Sequence, residues 1–174
     1  ATVGIAGGRT FLITAGVGLD SAAVAYLKPW LKRLLGWGAY IFSMITALIR
    51  EGGTVFEVEI DGIKVKGSTV VVINVSRFGG PYVVSPATRV DDGTLTVLVA
   101  LGLGRWNLLR YGVAFGLGRV PQVEDKLLRT AMEVKVLSPI GYPVQVDGDG
   151  YGKVPVTISI APAGLKLLVP VSLV

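Results

Sequence analysis

The 174-residue sequence contains no cysteine and no histidine. Together these absences exclude disulfides, thiol nucleophiles, zinc centres built on Cys or His, and every Ser-His or Cys-His dyad. Any chemistry must run on carboxylates, hydroxyls, Lys, Arg and backbone groups. Charge is scarce as well. Asp, Glu, Lys and Arg make up 17% of the chain, against roughly 25% in an average soluble domain, while apolar residues reach 51%. Such a deficit suggests that part of the surface is covered by another domain, another subunit or lipid. The formal net charge is +5, and the Lys and Arg residues do not gather into basic runs, so no nucleic-acid partner is expected. Long apolar runs are also lacking. The longest uncharged stretch, LLGWGAYIFSMITALI at residues 34–49, falls short of the roughly 20 residues of a spanning helix. It reads as a buried helix, with a lipid-facing one as the alternative. The chain opens on Ala1, its first Met is Met44, and no basic segment leads into an apolar core and cleavage site. It therefore reads as a fragment or a processed chain.

What is present is mostly alternation. TVGIAGG and RTFLITAGVG predict two short strands about a Gly7-Gly8 turn. LDSAAVAYLKPWLKRLL switches to helical spacing, with Asp20 or Ser21 placed to cap its start and Pro29 to kink or restart it. TVFEVEIDGIKVKGSTVVVINVS predicts a hairpin about Asp61-Gly62 feeding a buried strand. Gly79, Gly80, Pro81 and Pro86 mark a loop before the strand DDGTLTVLVAL, and residues 105–117 return to helical spacing. The remainder is strand: LLRTAMEVKVLS, a hairpin from PVQVDGDG into VPVTISIA, and LKLLVPVSLV. Many short strands with helices confined to two inserts predict a mainly β fold, an antiparallel β-sandwich or barrel, organised as one domain over residues 1–174.

Familiar motifs fail one by one. AGVGLDS has Ser21 where the third glycine of a dinucleotide fingerprint would fall, and no Gly-Lys-Ser or Gly-Lys-Thr occurs. Asp147 and Asp149 begin like a calcium loop, but position 151 is Tyr and no downstream Glu completes it. Two carboxylate features are left, Asp91-Asp92-Gly93 and Asp147-Gly148-Asp149. Each alone reads as an ordinary turn, because Asp and Gly satisfy turn geometry readily. The puzzle is the surplus in YPVQVDGDGYGKVPV, residues 142–156, since a hairpin needs at most one Asp-Gly step.

The stretch INVSRFGGPYVVSPATRVDDGTLTVLV, residues 73–99, sets Asn74, Gly79-Gly80, Pro86-Ala87 and Asp92-Gly93-Thr94-Leu95 in a fixed order. This resembles the signature of the C-terminal half of bacterial lipid kinases of the diacylglycerol kinase type, a family that includes the sphingosine kinases. FLITAGVGLDSAAV, residues 11–24, is similar to the family's segment in which a Gly-x-Gly-x-Asp step opens a helix, and VQVDGDG to its late Val-Asp-Gly-Glu hairpin. The resemblance covers most of the chain.

The resemblance implies a protein of two domains: an N-terminal α/β domain whose Gly-Gly-Asp-Gly-Thr motif binds ATP, and a C-terminal β-sandwich like this chain, which closes the cleft and is inactive alone. It implies transfer of the γ-phosphoryl group of ATP to a lipid hydroxyl, with Mg2+ present. The family's proton acceptor, the Glu of its hairpin, falls on Asp149, one methylene and about 1.5 Å shorter in reach. The family's structural magnesium falls on the side chain of Asp92 and the carbonyls of Arg89 and Thr94. Asp20 falls near an acid that meets the lipid's polar head in sphingosine kinases, although the residue pattern alone favours an N-cap. Tyr26, Trp30, Trp37, Tyr40 and Phe42 read as core, with Lys28, Lys32 and Arg33 beside them placed to face anionic headgroups. The expected partners are a lipid substrate, the membrane surface and the protein's own N-terminal domain, with a homo-oligomer left open. The expected location is cytoplasmic, with peripheral membrane association. The alternatives are a noncatalytic β-sandwich binding lipid or protein, and, less favoured, an NAD-kinase-like enzyme.

Overall fold

The computed structural model describes residues 1–27, 30, 33–34, 36–77 and 82–166. The calls on Lys28, Pro29, Lys32, Gly79, Gly80 and Pro81, and on most of the final strand, lie outside the described residues, as does the side chain of Trp37.

The alternating segments form strands of two antiparallel sheets. β1 (Gly4–Ala6) and β2 (Arg9–Phe11) turn at Gly7-Gly8, and the chain then crosses to the second sheet as β3 (Thr14–Val17). The helices α1 (Leu19–Tyr26) and α2 (Trp37–Glu51) follow. β4 (Phe56–Ile60) and β5 (Ile63–Gly67) make the Asp61-Gly62 hairpin, and β6 (Thr69–Ile73) and β7 (Leu95–Ala100) pair in the second sheet. After α3 (Arg105–Gly116) come β8 (Lys126–Ala131), β9 (Glu133–Ser138), β10 (Pro143–Val146), β11 (Asp149–Lys153) and β12 (Val156–Ile160). One sheet has the order β2-β1-β12-β9-β4-β5 and the other β11-β10-β3-β6-β7-β8. The mainly β, antiparallel architecture with helical inserts is the one expected.

Period-two patterning sets what each strand buries. In β4, Phe56, Val58 and Ile60 enter the core, while Glu57 and Glu59 face outward and pair with Lys66 and Lys135 at 3.3 and 3.4 Å. β6 and β7 are apolar on both faces because both are covered. Val70, Val72, Val97 and Val99 point into the sandwich, and Val71, Ile73 and Leu98 pack outside it with Val84, Val120 and Phe115.

Four expectations are corrected. RTFLITAGVG is two strands, β2 and β3, in different sheets. The VDGDG hairpin returns through β11, and VPVTISIA supplies β12 of the other sheet, because the turn leaves only Asp149–Lys153 to pair with β10. LLRTAMEVKVLS is two strands, β8 and β9, lying in different sheets. The break falls at Met132, where the Asp61 carboxylate accepts the N–H groups of Met132 and Glu133 at 3.1 and 3.0 Å and so draws that backbone out of the β8 ladder. α2 is not wholly buried either. Ala39, Ser43 and Ala47 face inward, while Ile41, Phe42, Ile45 and Ile49 face solvent. Phe42 and Trp30 are therefore surface, whereas Tyr26 packs on the core. α3 repeats the pattern, burying Leu108 and exposing Trp106, Leu109 and Val113. Among the described residues, no helix is long and apolar enough to cross a membrane.

Candidate active site

The VDGDG hairpin turns on Asp147 and Gly148, both at positive φ, 50° and 86°. That geometry suits the right-handed twist of the flanking strands and favours an Asp-Gly step. Asp147 does more than turn. Its Oδ1 accepts the N–H groups of Ile13 and Thr14, each at 2.9 Å, and its Oδ2 that of Leu12 at 3.0 Å. Its own N–H donates to the Thr14 carbonyl. The chain between β2 and β3 is thus fastened to the tip of the hairpin.

Asp149 opens β11 and is free of that clamp. Its side chain is 73% exposed, and its Oδ2 lies 3.1 Å from Nη2 of Arg9 on β2. The Arg9 guanidinium also sits 5.3 Å above the Tyr151 ring. The motif reading missed Arg9; in sequence it is only a residue after a Gly-Gly turn.

Behind the tip runs a buried polar chain that was also missed, because a glutamine inside an alternating strand carries no signal of its own. Gln145 is 1% exposed. Its Oε1 accepts the Gly148 N–H at 2.9 Å, which orients the amide so that Nε2 donates to Asp20 Oδ2 at 3.0 Å. Asp20 Oδ1 is buried without a hydrogen-bond partner. Burial pushes the Asp20 carboxyl up to about 6, against the lowering effect of the Ser21 N–H and the Gln145 amide.

Asp20 is not the helix cap that its position suggested. Gly18, at φ 134°, is the N-cap of α1, and Ser21 hydrogen-bonds back to both its N–H and its carbonyl at 3.0 Å. Asp20, one residue earlier, is released to point inward. The Gly-x-Gly-x-Asp step acquires a physical meaning here: a Cβ on Gly16 would lie 2.1 Å from Asp20 Oδ2, so the first glycine makes room for the carboxylate.

The third candidate cluster stands apart. Asp92 Oδ2 accepts the Arg89 N–H at 3.0 Å, and the Arg89 guanidinium pairs chiefly with Asp91 at 3.2 Å. The turn is tied to the chain's first residues, with the Gly93 N–H donating to Thr2 Oγ1 and the Thr2 N–H to the Val90 carbonyl. It borders a shallow cleft of about 520 Å³ lined in part by Ser76, Thr88 and Asp91. Among the described residues no three acidic side chains converge as a metal-binding group. The structure therefore joins Asp20 to the VDGDG hairpin and leaves Arg89, Asp92 and Thr94 as a separate turn.

Residues 13–169 match the family described as YegS C-terminal NAD kinase beta sandwich-like domain. The chain belongs to this family. Proteins of Pseudomonas putida and Pseudomonas aeruginosa, each named "Probable lipid kinase YegS-like", are 27% and 26% identical to it over 97% of its length. The chain spans 56% of the length of these relatives. A solved diacylglycerol kinase structure from Bacillus anthracis str. Sterne superposes with a TM-score of 0.59 at 22% identity, covering 91% of this chain and 52% of that one. Another structure from the same organism reaches 0.67 at 22% identity, over 92% and 53%. At such identity these structures establish the fold, and the relatives are themselves named as probable lipid kinases.

Proposed function

We propose that this YegS-type domain is the C-terminal half of an ATP- and Mg2+-dependent kinase that phosphorylates a lipid hydroxyl of the diacylglycerol class, and that it is inactive without an ATP-binding partner domain. The observation that carries the reading is Asp149, an exposed carboxylate held on a turn already closed by Asp147. Phosphoryl transfer through a loose transition state asks the protein mainly for positioning and for a group that takes the nucleophile's proton. As the lipid oxygen bonds to the γ-phosphorus and the bond to the β-phosphate bridge breaks, the hydroxyl proton passes to Asp149, and ADP leaves. Gln145 holds the turn against the helix that carries Asp20, whose unpartnered oxygen is suited to a polar group of the lipid head.

The residues of the separate turn fit a magnesium ion through one carboxylate. Asp92 Oδ2 is taken by the Arg89 N–H, but Oδ1 has only the Arg89 guanidinium, at 3.9 Å. Asp92 and the carbonyls of Arg89 and Thr94 would hold the ion, with water completing its shell. Bound there, the ion would supply positive charge to hold the turn.

The Arg9 ion pair favours a second reading, a noncatalytic lipid- or protein-binding module in which Asp149 only fastens β11 to β2. The separating experiment measures turnover on a panel of lipid alcohols by a protein carrying both halves, alongside its Asp149→Asn variant. A drop of orders of magnitude in a folded variant supports the kinase. Unchanged turnover removes Asp149 from the mechanism, and no turnover from a folded parent that binds ATP supports the binding module.

A further inference from the structure

The kinase reading leaves one surface without a role. Phe42, Ile45 and Ile49 on α2 are 60%, 52% and 62% exposed, and Trp106, Leu109 and Val113 on α3 are 83%, 41% and 53% exposed. Both sets follow i, i+3, i+7 spacing, so each is one face of its helix. The two helices touch end to end. Gly52, at the end of α2, lies so near Arg105, at the start of α3, that a Cβ there would come within 2.6 Å of Arg105 Cγ. Single exposed apolar residues need no explanation, but stripes on two adjoining helices do.

The charge beside these stripes is mostly positive. Arg50, Arg105 and Arg110 are exposed on the two helices, and exposed Arg33 and Arg119 flank them. The helices carry one acid, Glu51, and it is occupied: Oε1 accepts the Tyr26 hydroxyl at 2.6 Å. Arg110 is matched from outside the helices by Asp125. A second copy of this chain docked face to face would set like charges against each other, which disfavours self-pairing. An apolar stripe edged by arginines is instead the pattern of a helix lying in the headgroup region of an anionic bilayer.

We propose that the outer faces of α2 and α3, helices that touch end to end, together dock on an anionic lipid bilayer, the apolar side chains entering the interface and the arginines meeting lipid phosphates. The proposal rests on the lipid-kinase reading for the purpose of the visit, but binding itself needs no ATP and no second domain.

The test is flotation of this chain with vesicles of phosphatidylcholine alone and of phosphatidylcholine mixed with phosphatidylglycerol. Binding to the mixed vesicles is expected, weaker binding to the neutral ones, and release by salt. Trp106→Glu combined with Val113→Glu should lower partitioning at least about tenfold while the circular dichroism spectrum is kept. Arg105→Gln, a milder change, should weaken binding to the mixed vesicles about fivefold and leave neutral vesicles unaffected. Absence of binding to either vesicle, or equal binding by the variants, would overturn the proposal. So would a dimer that the Trp106 and Val113 changes dissolve in a protein that ignores vesicles. Failure of the kinase reading looks different: vesicle binding persists while the two-domain protein turns over no lipid. If a water-soluble short-chain diacylglycerol is phosphorylated and vesicles are ignored, only the docking surface falls.

Discussion

Two hairpins of this sandwich turn on the same dipeptide. Asp61-Gly62 joins β4 to β5 and Asp147-Gly148 joins β10 to β11, with φ of 46° and 83° in the first and 50° and 86° in the second. In each, the Asp N–H donates to a carbonyl on a neighbouring segment, Glu133 at 3.1 Å or Thr14 at 2.8 Å. In each, the carboxylate then gathers N–H groups from that same segment: Met132 and Glu133 for Asp61, and Leu12, Ile13 and Thr14 for Asp147. Both segments are places where the chain leaves one sheet for the other, from β8 to β9 and from β2 to β3. The Asp-Gly step is thus a structural clamp used twice. The hairpins part company at the residue after the glycine, which is Ile63 in one and Asp149 in the other. The fold accepts an apolar residue there, so the second acid of VDGDG is surplus to the architecture, and that surplus is the argument for function.

The largest expected effect tests that surplus directly. In a protein with both kinase halves, Asp149→Asn, or Asp149→Ile in imitation of the other hairpin, should lower turnover by about 10²–10⁴-fold. Stability should change by less than about 1 kcal/mol, the usual worth of an exposed ion pair such as Arg9–Asp149. Urea melts showing a larger loss would make Asp149 part of the clamp and break the contrast.

Next come the clamps themselves. Asp147→Ala and Asp61→Ala should each cost about 2–4 kcal/mol, because charge-assisted acceptors for strand-crossing N–H groups are lost and Ala is strained at positive φ. Asp147, with three such contacts against two for Asp61, should cost more. Equal, negligible losses in equilibrium unfolding would mean that water replaces the carboxylates and that the crossings hold without them.

The sandwich class, the Asp61-Gly62 hairpin and the Asp147-Gly148 turn were legible in the sequence because alternation and turn chemistry are local, whereas the return strand of the second hairpin was not, VPVTISIA pairing in the other sheet. The identity of the clamped segments was not, since Asp147 reaches residues more than 130 positions away. The same holds for Gln145 and Arg9, whose partners Asp20 and Asp149 are distant in sequence. The break at Met132 was hidden because both halves of LLRTAMEVKVLS keep strand-like composition, and only the Asp61 carboxylate across the sheet divides them. The outward face of α2 was misread for another reason. Its fully buried positions are Ala39, Ser43 and Ala47, with Met44 and Leu48 packed partly on the core, while the large Phe42, Ile45 and Ile49 are exposed.

Asp20 provides a smaller test, with the opposite sign. Its carboxyl is raised from 3.8 to about 6 by burial, so between those values the native state holds a proton that the unfolded chain has released. The stability of the neutral form is therefore full below the unfolded value and is lost as pH rises to about 6. Asp20→Asn, which stays neutral, should be more stable than the parent by about 1–2 kcal/mol at pH 8 and should lose that part of the pH slope. Thermal melts from pH 4 to pH 8 would show it. A parent already flat across that range would mean that Asp20 is solvated, and would remove the reason for treating it as a headgroup contact rather than a second structural acid.

The smallest effect belongs to the third Asp-Gly turn, which follows neither pattern. Asp92 clamps no crossing: its Oδ2 takes the N–H of Arg89, three residues back, and its Oδ1 is left with a guanidinium at 3.9 Å. If that oxygen serves magnesium, millimolar Mg2+ should raise the midpoint of this domain by a degree or so, corresponding to about 1 kcal/mol or less by mass action for a weak site. Asp92→Ala should abolish the shift while leaving the metal-free midpoint within about 0.5 kcal/mol of the parent, as expected for an exposed turn. A shift that survives the substitution would place the ion elsewhere. No shift in either protein would leave Asp92 as an acid that serves only its own turn, and Asp149 as the acid that the fold does not need.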